Sequence, residues 1–232
     1  MPVLNLDDDA KNVMETIEGG GIAVLQLDVA YLICGNKADA IARIFEAKGR
    51  TFEKPNGMLA NFEIFEQLLI TSDKAKDVTR AVTQDFDLPL SVVAPFRPDA
   101  PILAGLEPFA IERSTKAGTQ DILLNAGPLA DKLADMSLER GTPVLGSSAN
   151  RSETGSKFRA EDVDPEVRDA ADLIIDYGLC RYHNPIGTSS TIIDLANFEV
   201  LRWGVCFDQI ADILQRFFDI ELAPSPHQSN VA

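Results

Sequence analysis

Three cations stand close together in the stretch EAKGRTFEKP (46–55): Lys48, Arg50 and Lys54, just past the apolar pattern Ala40, Ile41, Ile44, Phe45. Such a cluster on a loop stiffened by Gly49 and Pro55 suits a polyphosphate. Arginine offers a bidentate fork and lysine a compact charge. Cations past a helix end also complement its dipole, so spacing alone leaves both readings open. A second stretch, GSSANRSETG (146–155), places Ser148 and Asn150 where a strand runs into a turn. Free backbone N–H groups there can hold a phosphate or a carboxylate, although such turns also form for local reasons. In the third, GTSSTIIDL and VLRWG, Ser190 and Thr191 open one strand and Arg202 ends another. Two hydroxyls and a cation at strand ends could line one cleft.

Other chemistries are excluded. There is no G-x-S-x-G nucleophile elbow and no credible Ser-His-Asp set. His183 and His227 are too few and too scattered for a zinc site, and HExxH is absent, so no metal-ligating residues are assigned. Gly19-Gly20-Gly21 precedes a strand rather than following one, which fits a helix end and not a dinucleotide loop.

The chain has 232 residues, enough for one large domain that needs no disulfide or metal staple. It carries 21 basic against 36 acidic residues, a net charge of −15. That balance argues against nucleic-acid polymers and anionic membranes as partners. The stretch from Lys37 to Lys54 runs the other way, with five basic and three acidic residues, a positive island that could still capture a small anion. Cys34, Cys180 and Cys206 form no CxxC and no even framework, which fits a reducing compartment. No run of 18 apolar residues spans a membrane. The start MPVLNLDDDAKN lacks the cationic and apolar regions of a signal peptide, so a cytoplasmic location is expected.

The positioning elements follow from periodicity. Ala10, Val13, Met14 and Ile17 mark a first helix with Asp7, Asp8 and Asp9 at its start. IAVLQL (22–27) and LSVVAP (90–95) read as buried strands, and PFAIER (108–113) as another. Helical stripes follow at 62–68, 75–82 and 129–136, then the strand PVLGS and a short acidic helix over 160–168. DLIIDY, STIIDL and FEVLRW are three late strands. The expectation is a single α/β (α+β) domain over 1–206, with a twisted mixed sheet and flanking helices around a concave cleft. A C-terminal amphipathic helix (207–222) packs on it, and 223–232 form a loose tail.

Taken in order, the glycine-ended helix, the strand, Tyr31, IFEAKGRTFEKP, PLSVV, SSANRS, SSTIIDL and VLRWG resemble the YrdC/Sua5 family of threonylcarbamoyl-AMP synthases, over roughly residues 10–205. The resemblance implies a positively charged cleft. It also implies an enzyme, of nucleotidyltransferase or ligase type, that joins bicarbonate, L-threonine and ATP, releases pyrophosphate, and feeds a tRNA modification. ATP and Mg²⁺ are implied as cofactors. Lys48, Arg50 and Lys54 would hold the ATP phosphates, with Lys48 and Arg50 stabilising charge during transfer. Ser148 and Asn150 would contact the nucleotide or the carbamoyl-adenylate, Arg202 the nucleotide, and Ser190 and Thr191 the amino acid.

The departures concern the substrate half. The family's Pro-Thr-x-Thr-x-Tyr-Gly stretch stands here as Gln26, Leu27, Asp28, Val29, Ala30, Tyr31, Leu32, with both threonines replaced by apolar residues. Val29 cannot replace a hydroxyl that hydrogen-bonds substrate. The family's Thr-x-Ala-Ile-Arg strand is placed at Pro108–Glu112, with Glu112 where a cation is expected. An insertion of roughly ten residues is expected around Lys116 to Asn125. The substrate-facing set is then Val29, Tyr31, Glu112, Ser190 and Thr191. The functional expectation is a divergent adenylate-forming enzyme with altered amine or acyl specificity. Its partners would be small molecules: a nucleotide, bicarbonate, and an amino acid or other amine. A noncatalytic module binding nucleotide or double-stranded RNA, and a housekeeping threonylcarbamoyl-AMP synthase, are the alternatives. The oligomeric state is not legible.

Overall fold

The computed structural model describes residues 4–51 and 54–226. Phe52, Glu53 and residues 227–232, which include His227 and the end of the expected tail, lie outside the described residues.

A single mixed sheet organises the chain. Its strands are β1 (Ala23–Gln26), β2 (Tyr31–Gly35), β3 (Gly57–Ala60), β4 (Leu90–Pro95), β5 (Thr115–Lys116), β6 (Thr119–Leu124), β7 (Leu145–Ser148), β8 (Leu173–Ile175), β9 (Ile192–Asp194) and β10 (Glu199–Arg202). The spatial order is β10-β9-β4-β6-β3-β7-β2-β1-β8, with β5 paired to β6. Three parallel pairs (β1–β8, β3–β6, β4–β9) are mixed with antiparallel ones, so the mixed α/β architecture is as expected. Eight α-helices flank the sheet among the described residues: α1 (Leu6–Glu18), α2 (Ala38–Ala47), α3 (Phe62–Leu68), α4 (Asp73–Arg80), α5 (Pro108–Glu112), α6 (Pro128–Arg140), α7 (Pro165–Asp169) and α8 (Phe207–Phe218).

Strand alternation divides the apolar residues between two faces. Ile22, Val24, Tyr31, Ile33, Met58, Ala60, Ile122 and Leu124 join the larger core cluster with α2, α3, α4 and α8. Ala23, Leu25, Leu32, Cys34 and Leu59 point the other way, into a second cluster under α1 and α6. Both faces are covered there, which is why the strands read as continuous apolar runs. α1 buries Ala10, Val13, Met14 and Ile17, and α6 buries Leu129, Ala130, Leu133 and Ala134, each along one helical stripe. α6 ends at Gly141, whose φ of 61° is the left-handed cap that glycine adopts without strain. The two helices cover only part of their face. The uncovered part becomes the cleft.

Three local expectations change. PFAIER is not a strand: Pro108 starts the helix α5, where its fixed φ and absent N–H are tolerated. The stretch expected as an insertion holds β5 and β6, and β6 is an inner strand between β4 and β3. The acidic segment near 160–168 is a 3₁₀ turn (Ala160–Asp162) followed by α7. Strands β2 and β3 also form where the sequence alone marked none.

Candidate functional site

A cleft of about 300 Å³ opens on the side of the sheet left bare by α1 and α6. It is walled by the β1–β2 turn, the loop after α2, the end of β7 and the segment before β9, with β3, β4 and β6 beneath. Lys48, Arg50, Lys54, Ser148, Asn150, Ser190 and Arg202 all line it, so residues scattered over 154 positions (202 − 48) converge.

The cations differ in what they are free to do. Lys48 is only 3% exposed. Its Nζ donates to the carbonyl oxygens of Ser148 and, at 2.6 Å, Asn150. Two of its three donors therefore brace the turn after β7, and Ser152 N returns a bond to the Lys48 carbonyl at 3.0 Å. Burial, reinforced by the like charge of Arg50, lowers its pKa to about 7, while Asp164 pulls the other way. Arg50 lies over the Phe45 ring at 5.5 Å and donates to Pro55 O at 2.6 Å, while its buried Nε has no partner among the described residues. Burial lowers its pKa to about 10, partly offset by Asp121. Lys54 sits at the mouth, 3.6 Å from Glu153, with both side chains largely in solvent. Such a pair contributes little to stability.

On the far wall, Arg202 donates from Nε to Ser190 O (2.8 Å) and from its terminal nitrogen to Ser190 Oγ (2.9 Å). Ser190 Oγ in turn lies 2.8 Å from Ser91 Oγ. Burial lowers the Arg202 pKa, and Asp121 opposes the shift. The buried Oδ1 of Asn150 and Oγ of Ser147 have no hydrogen-bond partner among the described residues. Both lie on the Ser147–Asn150 turn, so unused donors and acceptors gather where an anion or a ribose could meet them.

Several expected substrate contacts lie elsewhere. Glu112 is on the outer helix α5, exposed and paired with Arg113 at 3.1 Å, and it does not line the cleft. Its placement fails because the strand it was assigned to is helical. Thr191 is fully buried, donating to Val205 O at 3.0 Å and accepting from Gly204 N at 3.2 Å. Adjacent strand residues face opposite ways, so Ser190 and Thr191 cannot both reach the cleft. Tyr31 is among the residues lining the cleft, but its ring is fully buried in the larger core, with its hydroxyl on Asp176 Oδ1 (2.5 Å) and Gly178 O (2.9 Å). Burial raises its pKa, and it acts as a pin across the sheet. Val29 does line the cleft, beside Leu27 and Leu32.

Among the lining residues not found from sequence, two matter most for the floor. Ser91 hid inside the apolar strand LSVVAP. Asp121 hid in the supposed insertion, although the alternation in TQDILL (119–124) is a strand signal. Laying the Thr-x-Ala-Ile-Arg pattern on Thr119 puts Leu123 at the position of the expected cation and Asp121 at that of the alanine. Asp121 faces the cleft floor, and burial pushes its pKa up to about 6, with Arg202 and then Arg50 pulling it down.

The Lys48 shift predicts opposite pH trends. A lysine with a folded pKa lowered from 10.5 to about 7 is costly to fold while charged. The unfolded chain binds more protons between those values, so stability of the free protein rises with pH across that window. A polyphosphate favours the charged form, so its affinity falls above pH 7, by up to about tenfold per pH unit. Calorimetric titration with ATP at pH 6.5, 7.5 and 8.5 checks this; a flat profile contradicts it.

A domain model for Sua5, YciO and YrdC proteins, described as telomere recombination, matches residues 15–204. A threonylcarbamoyl-AMP synthase of Pyrococcus abyssi is 30% identical over 187 residues, covering 78% of this chain and 49% of that protein. This chain thus spans about half the length of that curated relative. The structure of P. abyssi Sua5 complexed with L-threonine superposes with a TM-score of 0.72 at 24% identity, over 96% of this chain and 61% of that one. A Streptococcus mutans protein, smu.1377c, superposes with a TM-score of 0.75 at 21% identity, over 91% and 93%. Among the described residues no helix is long and apolar enough to cross a membrane. With its sheet, its cleft and the match across 15–204, the chain belongs to the Sua5/YciO/YrdC family.

Proposed function

We propose that the cleft binds ATP and forms a carbamoyl- or acyl-adenylate on an amine or acyl substrate other than L-threonine. The observation that carries this is the meeting of Lys48, Arg50 and the Ser148–Asn150 turn on one wall with Arg202 on the far wall, over a floor that is apolar apart from Asp121 and Ser91. In the reaction, the amine nitrogen bonds to the carbon of bicarbonate. A carboxyl oxygen of the carbamate attacks the α-phosphorus of ATP, and pyrophosphate and one water leave. Little acid–base machinery is needed. Positioning and fixed cations lower the barrier by stabilising charge on the α-phosphoryl and the leaving group.

Mg²⁺ fits as a companion of the nucleotide. Asp121 on the floor and Glu153 at the mouth are the carboxylates lining the cleft, and no acidic, histidine or cysteine cluster among the described residues forms a metal cage. Mg²⁺ would supply charge neutralisation of the β- and γ-phosphates, held mainly by their oxygens and water. A tRNA-modification role would follow only if the product were the threonyl one.

The test is incubation with ATP, Mg²⁺, bicarbonate and pooled amines and amino acids, read by mass spectrometry and pyrophosphate release. An AMP conjugate other than threonylcarbamoyl-AMP is expected. No conjugate and no pyrophosphate with any pool overturns the proposal.

A further inference from the structure

The amine side of the cleft carries a polarity that no assignment covers. Strand β6 points Ile122 and Leu124 to the larger core, and Asp121 and Leu123 to the cleft face. The Asp121 carboxyl lies against the backbone of β3: a Cβ built on Gly57 would come within 3.6 Å of its Cγ. It makes no hydrogen bond and no ion pair within 4.0 Å among the described residues, and its nearest cations are engaged elsewhere. Arg202 is spent on Ser190, and Arg50 on Pro55 O and Phe45. Around it the floor is an open extension of the second apolar cluster: Leu27, Val29, Leu32, Leu59 and Leu123 belong to that cluster and line the cleft as well.

A zwitterionic amino acid with its carboxylate against Leu123 would set that charge beside Asp121, with Arg202 and Arg50 each already bonded to a protein acceptor. Burying a charge unpaired next to a like charge is strongly unfavourable. A primary amine lacking a carboxylate meets the opposite situation. Its ammonium gains an unpaired carboxylate in a partly desolvated site, and its hydrocarbon covers leucine and valine.

We infer that Asp121 is the specificity-determining residue of this cleft. It receives the ammonium of an apolar primary amine that has no carboxylate, and with Leu123 it excludes α-amino acids. This rests on the proposed use of the cleft for an amine, but not on ATP turnover, so the two fail separately.

The matched probes are isobutylamine and L-valine, which differ by the carboxylate alone, titrated calorimetrically into the protein with and without ATP and Mg²⁺. Isobutylamine is expected to bind at least tenfold more tightly than L-valine. Asp121→Asn should erase that ratio. The double variant Asp121→Ala, Leu123→Arg should invert it, and a thermal melt confirms that each variant is folded. If Asp121→Asn does not fold, Leu123→Arg alone must still narrow the ratio by improving L-valine. Equal or tighter binding of L-valine, a ratio unchanged by Asp121→Asn, or no binding of isobutylamine at millimolar concentration overturns the inference. Binding of isobutylamine with no binding of ATP upholds it and removes the nucleotide proposal alone.

Discussion

Replacing Lys48 and Arg50 together with alanine should weaken ATP binding by at least about 100-fold, because each charge-assisted hydrogen bond to a phosphate contributes about 1.5–3 kcal/mol. The two cations act differently, so the single variants should differ as well. Arg50 reaches the cleft with an unpartnered Nε, and its loss removes direct contact. Lys48 holds the carbonyls of Ser148 and Asn150, and its loss also releases the turn that carries Asn150. Arg50→Lys keeps a charge but not the planar fork, and should recover only part of the affinity. Isothermal titration with ATP and Mg²⁺ measures this. An unchanged dissociation constant in the double variant would remove the cation cluster from the site.

The largest effect on stability is expected at Gly204, in the turn after β10. A methyl there would lie 2.2 Å from Ser189 O and 2.3 Å from the Ser190 carbonyl carbon, both backbone atoms of the strand entry that Arg202 grips. Neither can yield without moving the cleft wall. Gly204→Ala should therefore destabilise the protein by about 3 kcal/mol or more, in the range of overpacking and strain. Gly118→Ala is the comparison. Its added methyl meets nothing within 4 Å, and the cost is confined to a φ of 77°, about 1 kcal/mol. Chemical denaturation of both variants decides the matter; equal midpoints would mean that the approach at Gly204 relaxes freely. Gly204→Ala should also loosen ATP binding, because Ser190 and Arg202 move with that wall.

The cationic wall of the cleft was legible because its residues are contiguous. Lys48, Arg50 and Lys54 fall in one loop, and Ser148 and Asn150 in one turn, so spacing picked them out as groups while leaving their role open. The floor of the cleft was not, for two reasons. Phe109 and Ile111 favour strands, yet Pro108 commits that segment to a helix, and the misplacement displaced β6 and hid Asp121. The parity of short strands was the second. Thr191 stands in the right segment but is buried away from the cleft, and Tyr31 lines the cleft while its ring turns into the core; facing depends on register with distant strands that local sequence does not reveal. The helices were recovered more readily, since a stripe such as Val13, Met14 and Ile17 reports its buried face without reference to any neighbour.

The strand order has a kinetic consequence. β1 pairs with β8, joining Ala23 to Leu173, and β4 pairs with β9, joining Ser91 to Ile192. The cleft draws on segments from Leu27 to Arg202, so no contiguous fragment contains it. High contact order slows folding, because loop closure must precede the contacts that reward it. A growing chain therefore holds no complete cleft until Arg202 has been synthesised and docked. Ligand present during refolding would then act on the last step alone, raising final stability by mass action while leaving the early collapse rate unchanged.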